Sequence, residues 1–402
     1  MISSRRTLLK TAAAIPVTRL AAQAKQHIAV IGAGAWGGWT AVYLQRLGAR
    51  VTLLDAWGPG NSRASSGGET RIIRATYGDR PYVDMVVRAL DLWRENERRW
   101  DRKMFHQTGV IWMAGEDQHL ERAALGFMKQ AGVNPEELTA AEAGKQYPQI
   151  NFENIKLVIR EKNAGFLTAR SNCDYVLEGF QKEGGEYRQL AVEPGTIESG
   201  RMRGVKLSNG DSLNADTYVF CCGPWLGKVF PTVIGNLIRP TRQEVFFFGT
   251  PVGDPRYLEN QMPTWIDNTA AKTFYGIAGN QWRGFKLADD ARGPTFDPTW
   301  GERLGTPEGL RAARKYLEFR FPGMRGAPLL ETRVCQYENT PDQHFLLDRH
   351  PEAANVWLAG GGSGHGYKHG PAIGERLAKM VLGKQPVDPF FSLTSRHTGR
   401  TG

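Results

Sequence analysis

An α/β fold is predicted, and three observations predict it. A strand, a glycine turn and a helix follow one another in "HIAVIGAGAWGGWTAVYLQRLGARVTLLDAW" from His27. The same order returns near the C-terminus in "NVWLAGGGSGHGYKHGPAIGERLAKMVLG", Asn355–Gly383. Between them, short apolar runs alternate with amphipathic stretches, the pattern of strands separated by helices.

His27–Ile31 is a short apolar β run, and Gly32, Gly34 and Gly37 complete a G-x-G-x-x-G with Ala33 inside it. Trp36–Leu47 reads as a helix ending at Gly48, and Val51–Leu54 as the next strand, closed by Asp55. A Gly/Ser-rich loop, Gly58–Gly68, leads to "ETRIIRATYG" and a helix over Tyr82–Trp100. Further strands are expected at Val110–Met113, Tyr187–Val192 and Tyr218–Cys221, and further helices at Leu120–Ala131, Cys173–Glu183 and Pro307–Phe319. After Lys384 the Pro- and Ser-containing tail is expected to be loosely ordered.

A chain of 402 residues, 41% hydrophobic and 23% charged, has room for two packed domains. The net charge is +10, and four of the positive residues (Arg5, Arg6, Lys10, Arg19) lie in the first 24 residues, which contain no acid. There is no basic stripe with interleaved aromatics, so nucleic acid is not expected as a partner. Those first residues read as an address. "SRRTLLK" is a twin-arginine pattern, Thr11–Val17 is weakly apolar and too short to span a bilayer, and Ala22 and Ala24 supply the small residues of a cleavage site. Export by the twin-arginine route, to the periplasm or beyond, is therefore expected. Cys173, Cys221, Cys222 and Cys335 are too few and scattered for a disulfide framework. Cys221 and Cys222 read as buried strand residues rather than a strained vicinal disulfide. No metal site is expected.

The glycines have the context of a dinucleotide site. Gly32 permits the tight turn, Gly34 admits the pyrophosphate, and Gly37 lets helix and strand pack closely. The helix N-terminus offers free N–H groups to the anion, and Asp55 suits ribose hydroxyls. That motif alone does not separate FAD from NAD. The second glycine turn, Gly360–Gly366, favours a flavin: it aims another positive helix end at a second part of the ligand, which a flavin needs for the negative charge of its reduced form. Cys335 stays open on these grounds alone, between core filler, half of a disulfide, a nucleophile and an attachment point.

Over residues 27–385 the chain resembles the monomeric sarcosine oxidase and N-methyltryptophan oxidase group of the D-amino-acid-oxidase-like flavoproteins. The resemblance rests on "GETRIIRATYGD" (Gly68–Asp79), "FYGIAGNQWRGFKL" (Phe274–Leu287), "VCQYENTPDQHFLLDRHP" (Val334–Pro351) and "GGSGHGYKHG" (Gly361–Gly370). It implies an FAD-binding Rossmann-like domain of the glutathione-reductase type, from residues 26–102, 165–238 and 338–385. An α+β substrate domain with a mixed antiparallel sheet would take 103–164 and 239–337, with 386–402 as a tail. It implies FAD bonded through Cys335 to the flavin 8α carbon, and further contacts to the cofactor from Thr70, Arg71, Gly361, Gly364, His365, Gly366 and Lys368. Arg71 and Arg74, three apart, are expected on one side of a helical turn. Arg74 and Lys368 would clamp a substrate carboxylate, Lys286 would serve oxygen activation, and Tyr275, Tyr337 and His365 would line the cavity. The implied activity is oxidation of a secondary or N-substituted amino acid by a monomeric enzyme, with molecular oxygen as acceptor and hydrogen peroxide as product. One departure stands out: where sarcosine-type members carry a His four residues past the lysine, this chain has Asp290, or Asp289 if the alignment slips by one. An anion there favours a cationic or polar substrate group, and with Trp282 and Arg283 it points away from sarcosine itself. The rivals are an exported flavin dehydrogenase serving a quinone or protein acceptor, and a flavin- or ligand-binding protein without activity.

Overall fold

The computed structural model describes residues 25–269, 272–280 and 283–397. The twin-arginine segment and Trp282 lie outside them. A six-stranded sheet and an eight-stranded sheet dominate. In the first, β1 (His27–Ile31) lies centrally, between β2 (Arg50–Leu54) and Thr217–Phe220, and pairs parallel with both. Val356–Gly360 extends the sheet in parallel beyond Thr217–Phe220, and Leu346–Arg349 closes that edge antiparallel. Parallel strands covered on both faces read as unbroken apolar runs, which is why β1 is buried along its whole length.

Helix α1 (Ala35–Arg46) is buried from Trp36 to Leu44 because it sits between this sheet and other helices. It crosses the C-terminal helix Gly370–Val381 closely: a Cβ on Gly374 would stand 2.6 Å from the Trp39 backbone. That close crossing fixes the two glycine turns against each other. Trp36 Nε1 donates to the Gly366 carbonyl at 3.0 Å, tying the first turn of α1 to the second glycine turn.

The eight-stranded sheet is antiparallel except where Thr264–Asn268 runs parallel to Val110–Ala114. Its edge strand, Leu329–Asn339, pairs along its length with Arg239–Phe248 and places Cys335 opposite Gln243. The far end of this edge strand reaches the second glycine turn, where the Ser363 N–H donates to the Glu338 carbonyl at 3.1 Å. One strand thus carries Cys335, Tyr337 and Glu338 to the place where the two sheets meet. Among the described residues no helix is long and apolar enough to cross a membrane.

Three local expectations are corrected. Arg71 and Arg74 are not on a helical turn: Arg71–Ile73 is a short strand, β3, paired with Gly165–Leu167. Its β-branched residues, Ile72 and Ile73, favour the extended backbone. Tyr187–Val192 is two strands in different sheets, Glu186–Arg188 beside β2 and Val192–Pro194 beside Val205–Leu207, because the chain turns between them. The tail is packed rather than loose through Arg396. Phe391 is fully buried, Leu393 nearly so, and Arg396 pairs with Asp342.

Candidate active site

The cofactor end is built from backbone. Gly32 has φ +106°, and a Cβ there would stand 2.3 Å from the Cys221 carbonyl oxygen. At Gly37 a Cβ would be 1.8 Å from the Gly32 oxygen, so only glycine lets α1 begin so close to β1. Asp55 accepts the Ala33 N–H at 2.7 Å on Oδ2, and the Trp57 and Gly58 N–H groups at 2.8 Å on Oδ1. Burial pushes its carboxyl up, and those N–H groups pull the other way. It therefore shapes the turn as well as facing the groove. On the far side, Gly361 and Gly364 have positive φ, and a Cβ on Gly364 would strike the Tyr337 ring at 2.6 Å. Between the two turns runs a cavity of about 290 Å³ whose wall includes Gly32, Gly34, Asp55, Gly364 and Gly366.

Arg71 sits where three cavities meet, lining all of them. It donates to the Thr70 carbonyl at 2.8 Å, the Ser65 carbonyl at 2.7 Å and the Cys335 thiol at 3.2 Å. Cys335 is half-buried, and like Cys173, Cys221 and Cys222 it is a free thiol. It shares a small cavity of about 130 Å³ with Lys286. Lys286 is 3% exposed, and its Nζ donates to the Thr70 carbonyl at 2.9 Å and to Thr70 Oγ1 at 3.3 Å. Burial, reinforced by the neighbouring Arg71 charge, lowers its pKa to about 7. An ammonium so placed is poised to hold or release a proton near neutrality.

The third cavity is the largest, about 1220 Å³, and it brings Arg74, Lys368, His365, Tyr275, Tyr337 and Asp290 together. The Arg74 guanidinium lies between the rings of Tyr77 and Trp112, 4.5 Å from each centroid, and bonds the Thr76 carbonyl. Two π faces hold the cation flat, the geometry a bidentate carboxylate contact needs. Glu161 steadies this loop by accepting the Ala75 and Thr76 N–H groups at 2.7 and 3.0 Å. Lys368 donates to Tyr77 Oη at 2.8 Å and to the His365 carbonyl at 2.9 Å, and burial, then Arg74, holds its pKa well below the usual lysine range. His365 Nε2 faces the Gln343 carbonyl at 3.0 Å, which only accepts, so that nitrogen carries the proton. Nδ1 then accepts from the Tyr77 hydroxyl at 3.2 Å. Burial and Lys368 keep this imidazole neutral.

Asp290 lines this cavity and Asp289 does not: Asp289 pairs with Lys272 at 3.1 Å. Asp290 Oδ1 accepts the Tyr337 hydroxyl at 2.6 Å, and Tyr275 in turn lies 3.3 Å from the Tyr337 oxygen. The tyrosine proton is spent on Asp290, so Tyr275 is the donor of the pair. The Asp290 side chain is open to the cavity, yet protein on its other sides pushes its carboxyl up, and the Tyr337 bond opposes that. Arg283 does not shape this cavity: it is held by Glu69 and Glu331 at 3.1 and 3.2 Å. Tyr77, Trp112 and Glu161 escaped the sequence reading. Tyr77 lies inside a motif already singled out, whereas Trp112 and Glu161 sit in ordinary strands and carry no local mark.

The family model described as FAD dependent oxidoreductase matches residues 27–380. The chain belongs to that family. This flavoenzyme is 31% identical over 379 residues to the monomeric sarcosine oxidase of Bacillus sp. (strain NS-129), covering 91% of this chain and 96% of that one. With the N-methyl-L-tryptophan oxidase of Salmonella typhimurium it shares 27% identity, over 92% of this chain and 97% of the other. The L-proline dehydrogenase of P. horikoshii superposes with a TM-score of 0.81 at 20% identity, covering 93% and 98% of the two chains. The fructosyl amine:oxygen oxidoreductase (Amadoriase I) of Aspergillus fumigatus gives 0.76 at 21%, covering 92% and 91%. These two likenesses bear on the fold alone. FAD fits the flavoenzyme's own residues. The glycine cradle leaves room no Cβ could share, and the wall between the two turns holds a buried carboxyl oxygen, Glu338 Oε2, with no partner in the protein.

Proposed function

We propose that the protein oxidises a secondary or otherwise N-substituted amino acid at the C–H bond next to nitrogen, releasing an imine that hydrolyses. The carrying observation is the convergence of Arg74 and Lys368 on one cavity that meets the dinucleotide groove at Arg71. Arg74, flat between two rings, takes the substrate carboxylate, and Lys368 completes the clamp as a point charge. The substrate binds as the free amine, its proton left to solvent, so nitrogen's lone pair is available; neutral His365 and the Tyr77 hydroxyl beside it offer polar contacts without taking that proton. FAD supplies the two-electron acceptor for that C–H bond, and oxygen, reduced to hydrogen peroxide, takes the electrons onward. Lys286 provides the buried positive charge that favours this reduction of oxygen. Cys335 would tether the cofactor covalently; the support is a free thiol, in contact with Arg71 where the three cavities meet.

Asp290 sets the preference among substrates. With Tyr337 and Tyr275 it offers an ordered acceptor in a wide cavity. A substituent bearing hydroxyls or a positive charge suits it better than the methyl group of sarcosine. We read the chain as a monomer, exported by its twin-arginine segment.

The test is anaerobic mixing with sarcosine, N-methyltryptophan, proline and a fructosyl amino acid in turn, followed by air. Bleaching of the flavin by at least one, and prompt recovery with peroxide formed, is expected. Flavin that stays reduced in air assigns the chain instead to a dehydrogenase serving a quinone or protein acceptor. A flavin that none of the four bleaches overturns the amino-acid reading.

A further inference from the structure

Glu338 is an acid for which the chemistry above has no use. It is 9% exposed, on the strand that carries Cys335 and Tyr337, and it forms part of the wall of the dinucleotide groove. Its Oε1 accepts the Gly362 N–H at 3.3 Å. Its Oε2 is buried with no hydrogen-bond partner. A Cβ on Gly362 would stand 2.9 Å from Oε1, and one on Gly223 3.4 Å from Oε2. The carboxyl group is therefore wedged between bare backbone of the turn after Thr217–Phe220 and bare backbone of the second glycine turn. The ionisable groups facing it are the thiols of Cys221 and Cys222, with Asp55 beyond them. No cation stands among the influences on its ionisation.

An ionised carboxylate in such a place is costly. It would keep one long hydrogen bond, lack a counter-charge, and meet the negative diphosphate of a dinucleotide entering the same groove. The neutral acid has one O–H to give and still accepts at the other oxygen. We propose that Glu338 is a cofactor-binding residue that works in its neutral form, donating a hydrogen bond from Oε2 to an acceptor oxygen of the phosphate–ribityl backbone of FAD. Burial raises its pKa to about 7, in keeping with a proton held at neutral pH and given up in mild alkali.

Full-length chain carrying Cys335→Ser, in which the proposed tether cannot form and binding stays reversible, is made cofactor-free in riboflavin-starved cells and titrated with FAD at about pH 6 and about pH 9, bracketing that group, with Glu338 native or substituted, and binding is read from flavin fluorescence. The wild type is expected to bind about tenfold or more weakly at the higher pH, while E338Q binds at both pH values as the wild type does at the lower one. E338L should lose about tenfold at the lower pH, by losing the donor. If E338L fails to fold, the comparison of E338Q with wild type still decides. Equal pH dependence in wild type and E338Q overturns the proposal. So does E338Q binding poorly at both pH values, which would mean that an ionised Glu338 accepts from ribityl hydroxyls. In the flavin-loaded enzyme near neutral pH, an infrared carboxylic-acid C=O band that disappears in E338Q is expected, and its absence from the wild type counts equally against the proposal.

Discussion

The two ends of the cofactor groove are made from different materials. At the dinucleotide end the ligand meets main chain, and the decisive residues are those with no side chain, Gly32, Gly34 and Gly37 within six positions of sequence. At the end proposed for substrate the wall is made of side chains, and they come from far apart: Arg74 follows β3, Trp112 sits mid-strand, Tyr275 and Asp290 belong to one hairpin, and Lys368 precedes the last long helix. The backbone end is fixed by sterics: Gly32 and Gly37 tolerate nothing larger than hydrogen. The side-chain end is fixed by polar and cation–π contacts, each worth about 1 kcal/mol or so, and is free to vary around its cations.

The largest effect should follow from attacking the backbone end. Gly37→Val would force a side chain to within 1.8 Å of the Gly32 oxygen, so α1 could not stay where it is. Destabilisation of at least about 3 kcal/mol is expected from such overpacking. Soluble yield and flavin absorbance should both collapse. A yellow, soluble Gly37→Val protein would mean that the turn is not the rigid cradle described.

Arg74→Ala should do the reverse, leaving flavin content and folding alone while kcat/KM falls roughly 30- to 1000-fold, the range for losing one charged partner, about 2–4 kcal/mol. If kcat/KM for the best amino-acid substrate is unchanged, the carboxylate is held elsewhere. The readouts separate because Arg74 hangs between Tyr77 and Trp112, off the path of the dinucleotide.

The same contrast explains what could be read from the sequence. A G-x-G-x-x-G is legible because one short segment does the whole task, and strand, turn and helix surround it in order. The second turn was legible for the same reason, although the helix expected directly after it begins only at Gly370, after a tight turn over Tyr367–His369. Arg74, Lys368 and Lys286 could not be picked from other cations by spacing; they came only through likeness to a family. Their partners were beyond even that. Trp112 looks like core until Arg74 lies on it, and Glu161 looks like a surface acid until the Ala75 and Thr76 amides point at it. Spacing by three suggests a helix for Arg71 and Arg74, and pairing of Arg71–Ile73 with Gly165–Leu167 overrides that local hint.

The one effect expected to be a gain belongs to the side-chain end too. Lys286 is buried with a pKa lowered from 10.5 to about 7 by burial and by Arg71. Between those values the unfolded chain binds a proton that the folded chain lacks, so stability rises with pH through this window. Below about 7 the folded protein carries the full cost of a buried ammonium, eased by its bonds to Thr70. Lys286→Met removes that cost. In cofactor-free protein the variant should be more stable than wild type by on the order of 2–4 kcal/mol near pH 6, and the gap should close as pH approaches that of a free lysine. Urea unfolding at a few pH values measures it. A gap that stays constant with pH would mean that Lys286 does not change protonation on folding. A gap that closes would show that the molecule gives up stability to hold a charge next to Cys335.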